Sequence, residues 1–136
     1  MRARSLLALP LVALFVAPPA LAESRAERRA ALKASFVPDG EPVDCVLISQ
    51  IQETRVLDDQ TIDFVMRNRQ VFRNTLPNRC PQLGFEEAFG YRTSIAQLCR
   101  VDVITVIQTG GGPRTGATCG LGRFQPMKPV ESQPAD

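Results

Sequence analysis

Thr61-Ile62-Asp63-Phe64-Val65-Met66 and, after four polar residues, Val71-Phe72-Arg73-Asn74-Thr75-Leu76 form the stretch that decides the fold class. In its first half Ile62, Phe64 and Met66 share one phase, and Thr61, Asp63 and Val65 the other. Strict period-two alternation is the pattern of a β-strand with one covered face. The linking Arg67-Asn68-Arg69-Gln70 predicts a hairpin with a two-residue turn at Asn68-Arg69, pairing Met66 with Val71 and Val65 with Phe72. Asn accepts a positive φ there more readily than Arg does.

The hairpin runs into Arg73-Asn74-Thr75-Leu76-Pro77-Asn78-Arg79-Cys80-Pro81, which gathers two arginines, two asparagines and a cysteine. Pro77 and Pro81 end the strand and force an extended loop. Upstream, Val46 to Leu57 is rich in β-branched residues but changes phase between Ile48 and Ile51, which predicts a bulge at Ser49-Gln50. Asp58-Asp59-Gln60 reads as a turn.

Downstream, Phe85 to Ala88 predicts one helical turn and Tyr91 to Ser94 a weak strand or loop. Ile95 to Cys99 fits either a helical turn or the start of a strand. Val101 to Ile107 is the most strongly β-forming run and predicts a central strand covered on both faces. Thr109 to Gly116 predicts a glycine loop. Ala117 to Phe124 predicts a last strand, with Gly120 and Gly122 allowing a bend or close packing. The expected class is therefore mainly β: a small antiparallel barrel or compact sandwich of five to six strands, disulfide-stapled, in a single β-domain over residues 44–126.

The chain opens like a secretory leader. Arg2 and Arg4 precede an apolar run from Ser5 to Val16, and Ala20-Leu21-Ala22 supplies the small residues read at cleavage. A signal peptide over residues 1–22 is expected, and the apolar run is shorter than the ~20 residues of a spanning helix, so no membrane span is expected after its removal. Residues 23–43 then form an arm and linker. Ser24 and Glu27 match a capping box, and an alanine-rich face predicts a frayed helix or flexible arm. Residues 127–136 read as a disordered tail.

Lys and Arg number 16 against 14 Asp and Glu, but two of those arginines leave with the leader, so the mature chain is formally neutral. Nucleic-acid binding, which needs a basic footprint, is not expected. A packed core of about 85 residues gives thin stability by burial alone. The four cysteines of an exported chain accordingly predict two disulfides. Cys80–Cys99 and Cys45–Cys119 are the expected bridges, the second closing the first strand onto the last. Cys45–Cys80 with Cys99–Cys119 is the stronger of the two alternatives.

There is no histidine and no tryptophan. This removes the commonest general base, the Ser-His-Asp and Cys-His constellations and the usual zinc ligands. Neither a cofactor nor a metal is expected. Asp58 and Asp59 read as turn caps. Asp102 shares a phase with Ile104 and Val106, so it predicts a half-buried carboxylate ion-paired with Arg73 or Arg79. Gly110-Gly111-Gly112 and Gly116 match no phosphate-loop spacing. Arg73, Asn74, Arg79, Tyr91, Asp102 and Arg123 are the candidate binding residues.

Four ordered blocks carry a family resemblance. They are Thr61-Ile62-Asp63-Phe64 preceded by Asp58-Asp59, the stretch Arg73 to Pro81, Gln97-Leu98-Cys99 with Asp102 to Val106, and Cys119-Gly120-Leu121-Gly122-Arg123-Phe124. Together they resemble a family of small exported bacterial proteins with four cysteines known only as a domain of unknown function. Glycines would be expected at Asn68-Arg69 on that pattern. The resemblance implies export and a domain from about Cys45 to Pro126, and no activity. The functional expectation is a non-enzymatic periplasmic module that binds a protein or cell-envelope component. The alternative is a small enzyme using Asp, Arg and Tyr chemistry built from Asp102, Tyr91 and arginines.

Overall fold

The computed structural model describes residues 24–112 and 114–131. The expected signal peptide lies outside the described residues, as do residues 132–136 of the expected tail. The described chain is mainly β, with antiparallel strands throughout and two disulfides. Helix α1 (Arg25–Ala34) leads into β1 (Phe36–Pro38) and β2 (Cys45–Leu47), and a 3-10 turn at Ile48–Gln50 precedes β3 (Ile51–Asp58). Then follow β4 (Thr61–Met66), β5 (Val71–Thr75), the single turn α2 (Leu83–Glu86), β6 (Phe89–Tyr91) and β7 (Gln97–Cys99). The chain ends with β8 (Val103–Gln108), β9 (Arg114–Gly120) and β10 (Phe124–Pro129).

A five-stranded sheet ordered β1-β10-β5-β4-β3 faces a three-stranded sheet ordered β6-β8-β9, and β2-β7 form a separate pair. Ile62, Phe64 and Phe124 from the larger sheet meet Ile104 and Val106 from the smaller in one apolar cluster. The Phe64 ring stands edge-on to Phe124 at 5.3 Å and to Phe89 at 6.4 Å. Open sheet edges make this a compact sandwich and not a closed barrel. Six strands have five or more residues, as expected; β1, β2, β6 and β7 have three each, too short for a periodic signal.

The central hairpin corrects its expected register by one residue. Met66 N–H donates to the Gln70 carbonyl and Arg69 N–H to the Met66 carbonyl, closing a three-residue loop with Arg69 at φ 70°. This is the hairpin class in which a tight turn is followed by a left-handed residue. Val65 consequently faces Val71, and Phe64 faces Phe72. The shift sets Asp63 opposite Arg73, where the expected register would have set Arg73 opposite Phe64. A carboxylate and a guanidinium meet, and the aromatic rings stay together.

The second face of the hairpin is covered as well. Thr61 and Asp63 are buried, because α1 crosses this face and its Lys33 carbonyl accepts from Arg73 Nη1 at 3.0 Å. The arm is therefore a docked helix followed by a sheet strand, and the larger sheet runs on to Pro129, three residues into the expected tail.

Three further expectations change. The bulge at Ser49-Gln50 is a 3-10 turn at which the chain switches sheets. The run from Val101 begins its strand at Val103 and is covered on one face only, with Val101 81% and Val103 48% exposed. The glycine loop is shorter than expected, since β9 begins at Arg114 and includes Gly116.

The disulfides are Cys45–Cys99 and Cys80–Cys119, correcting both expected bridges, Cys80–Cys99 and Cys45–Cys119. The β2-β7 register sets Cys45 directly opposite Cys99, Cα to Cα 4.0 Å. The loop after β5 crosses to β9, bringing Cys80 within 5.8 Å of Cys119 and joining the two facing sheets. The chain ends do close on each other, as barrel closure had suggested. They do so by strand pairing, Phe36 with Pro129 through Pro38 with Met127, before the chain reaches Cys45.

Candidate functional site

α1 starts at a complete capping box: Ser24 Oγ accepts from Glu27 N–H at 3.1 Å, and Glu27 Oε2 accepts from Ser24 N–H at 2.7 Å. The helix is held to the body by its polar side chains. Arg29 Nη1 donates to the Gly84 carbonyl and to Glu87 Oε1, and Lys33 Nζ pairs with Asp58 Oδ2 at 2.8 Å. The face it turns to the sheet carries Ala26 and Ala30, which are too small to fill the space beneath. A cleft of about 870 Å³ remains between α1, the β3–β4 turn and α2.

Asp59 fixes the far wall of this cleft. Its Oδ2 accepts from Arg79 Nε at 2.9 Å and Nη2 at 2.8 Å, its Oδ1 from Gly84 N–H at 2.8 Å, and its carbonyl from Cys80 N–H at 2.7 Å. Gly84 lets the turn come close, because a Cβ would stand 3.0 Å from Asp59 Oδ1 and 3.2 Å from backbone atoms of the turn. Left-handed residues, Gln82 at φ 69° and Glu87 at φ 54°, bracket α2. Such conformations persist in non-glycine residues only where the surroundings fix them. Between them Leu83 is buried and Phe85 points out at the cleft rim, 77% exposed.

Burial pushes the Asp58 carboxyl up, but the Lys33 ammonium, the Gln60 N–H and the Thr61 hydroxyl outweigh it and hold the carboxyl below its ordinary range. A carboxylate held anionic suits ion pairing and not proton donation.

The six residues singled out from the sequence are not brought together. Arg73 makes a two-point pair with Asp63, Nε to Oδ1 at 2.7 Å and Nη2 to Oδ2 at 3.0 Å. Asn74 is fully buried and hydrogen-bonded to Gly122. Tyr91 is half-buried against the core. Arg123 pairs with Asp44 at 2.9 Å, which Arg100 also approaches at 3.4 Å. Asp102 pairs with neither Arg73 nor Arg79; it lies before β8 and accepts from Cys99 N–H at 2.7 Å, capping the turn into that strand. Only Arg79 lines the cleft. Phe85 and Arg29 were missed. The available signal for Phe85 was an aromatic residue beside two consecutive charged residues, Glu86 and Glu87.

Among the described residues no group of three or more Cys, Asp or Glu side chains could hold a metal ion. Among them, too, no helix is long and apolar enough to cross a membrane. Comparison with protein-family models, with curated proteins and with solved structures finds no match to this chain.

Proposed function

We propose that this chain is exported and acts outside the cytoplasm as a non-enzymatic binding module, gripping a protein or cell-envelope component through the cleft between α1 and α2. The observation that carries the reading is Phe85, 77% exposed on a turn pinned at both ends, at the rim of an 870 Å³ cleft. A large aromatic residue presented on fixed backbone is the kind of anchor that dominates binding energy, because little freedom is lost when a partner covers it. Arg79, with its side chain 77% exposed, stands beside it as a cation already oriented by Asp59. Export is supported by the leader-like start of the sequence and by the two disulfides. The scattering of Asp102, Tyr91 and the arginines favours binding over the histidine-free enzyme.

The test is capture from an envelope and periplasm extract of the native host by immobilised, oxidised mature chain, beside Phe85→Ser and Arg79→Ser. A component retained by the wild type and lost with Phe85→Ser, at unchanged circular dichroism, is the expected result. Retention that ignores both substitutions would remove the cleft from the account, and no specific retention would remove the binding reading.

A further inference from the structure

β3 is the open edge of the five-stranded sheet, and its residues Gln52, Glu53 and Thr54 are exposed. Its backbone polarity follows from the ladder to β4. Arg67 N–H donates to the Gln50 carbonyl, so the odd-numbered residues on the β4 side turn their polar groups toward β3. Alternation then makes Val65–Glu53 and Asp63–Arg55 the hydrogen-bonded pairs. Thr54, between them, directs its N–H and C=O away from the sheet.

We infer that two copies of this chain associate by antiparallel pairing of their β3 edges about a two-fold axis through Thr54. In that register Thr54 exchanges both backbone hydrogen bonds with its own copy. Glu53 then lies opposite the second Arg55, and Arg55 opposite the second Glu53. These flanking positions are non-hydrogen-bonded pairs, where opposed side chains come closest. Within one chain Glu53 and Arg55 share a face and already pair with each other. The dimer therefore closes a ring of four alternating charges. Displacing the axis to a neighbouring residue loses both cross-strand ion pairs. The register shifts flanking Glu53–Val56 also confine regular pairing to these residues.

Charged residues on an edge strand usually discourage pairing. Here the two charges are opposite in sign and placed symmetrically about Thr54, so they repel a mismatched strand and attract this one. A two-fold contact of this kind is closed and stops at the dimer. One strand pair is a small interface, so the association is weak and reversible.

Sedimentation equilibrium of the oxidised mature chain at low salt, up to about 1 mM, tests the proposal. A monomer–dimer equilibrium is expected. Glu53→Arg and Arg55→Glu should each weaken it about tenfold, because each places two like-charge pairs across the axis. Combining them restores alternation and should recover the dimer. Thr54→Pro removes only an N–H that faces away from β4, so it should abolish the dimer with circular dichroism unchanged. Should Thr54→Pro fail to fold, the charge exchange still decides. A chain monomeric throughout, a double variant no better than the singles, or assemblies beyond the dimer would each overturn the inference. Phe85→Ser should leave dimerisation alone. Dimers lost with it would place the contact in the cleft, overturn β3 pairing and make a second copy the occupant of the cleft, whereas dimers kept beside a lost captured component would leave both readings standing.

Discussion

Asn74 holds Gly122 by both of its backbone groups: Nδ2 donates to the Gly122 carbonyl and Oδ1 accepts from the Gly122 N–H, each at 2.8 Å. Asn74 has no exposed surface, so water cannot replace it once it is removed. Asn74→Ala leaves a donor and an acceptor unsatisfied and should destabilise the fold by about 2–4 kcal/mol in urea unfolding. Gly122→Ala should be at least as damaging, because its Cβ would stand 2.2 Å from the Thr75 carbonyl oxygen. The two losses should be strongly non-additive in the double variant. Additive losses would mean that the two positions act separately.

Asp63 and Arg73 are the buried ion pair of this fold, with side chains 2% and 11% exposed. Removing one partner strands the other, so Asp63→Asn or Arg73→Gln should cost about 3–5 kcal/mol. Replacing both with apolar residues of similar volume should cost much less than the sum. Asp102→Asn provides the contrast. An amide oxygen can still accept from Cys99 N–H, so that variant should lose less than about 1 kcal/mol. Chemical unfolding of the three variants side by side checks the assignment.

These two positions show how much was legible beforehand. The alternation of Thr61 to Met66 and the turn at Asp58-Asp59-Gln60 were readable, because each depends on neighbouring residues. The sequence also showed that Asn74 and Arg73 mattered, but gave them a binding role. Asp63, the partner of Arg73, follows from a hairpin register that turned on one left-handed arginine, and Gly122, the partner of Asn74, from the pairing of β5 with the distant β10. Arg69 carries no signal for that conformation, and a slip of one residue exchanged every cross-strand neighbour. The disulfides failed for the same reason: Cys45 meets Cys99 only because a 3-10 turn sends β2 to a different sheet from β3. The cleft was least legible, since it depends on where α1 docks and on Phe85 staying uncovered.

Peptide mapping without reduction should recover Cys45 linked to Cys99 and Cys80 linked to Cys119. The bridges span sequence separations of 54 and 39, for which loop-closure entropy gives about 4 kcal/mol each. Their consequences should differ. Replacing Cys80 and Cys119 by serine releases the tie between the facing sheets and should loosen the whole sandwich. Replacing Cys45 and Cys99 should act first on β2 and β7, where amide exchange would quicken before the β4 and β5 amides respond.

Acid should release α1 before the sandwich unfolds. None of its residues is buried, so polar contacts must hold it down; Asp58, in one of those contacts, and Glu27, in the helix's own cap, both sit below the ordinary range. Glu27 is lowered by the Ser24 N–H and hydroxyl. Asp58 is lowered because Lys33, Gln60 and Thr61 outweigh its partial burial. A carboxylate depressed in the folded state stabilises it fully above the unfolded-state value, and that contribution is lost as pH falls through the folded-state value. Helix docking should therefore be constant at neutral pH and weaken below about pH 4. Amide exchange over residues 25–34 should quicken there while the β4 and β5 amides, central in the larger sheet, stay protected. Glu27→Gln should keep the cap, since glutamine closes a capping box without a charge, yet flatten part of the acid response. Asp58→Asn should weaken docking at neutral pH and flatten the rest. If α1 and the sheet lost protection at the same pH, helix and sandwich would be one cooperative unit, and the account of α1 as a separately held wall of the cleft would have to be withdrawn.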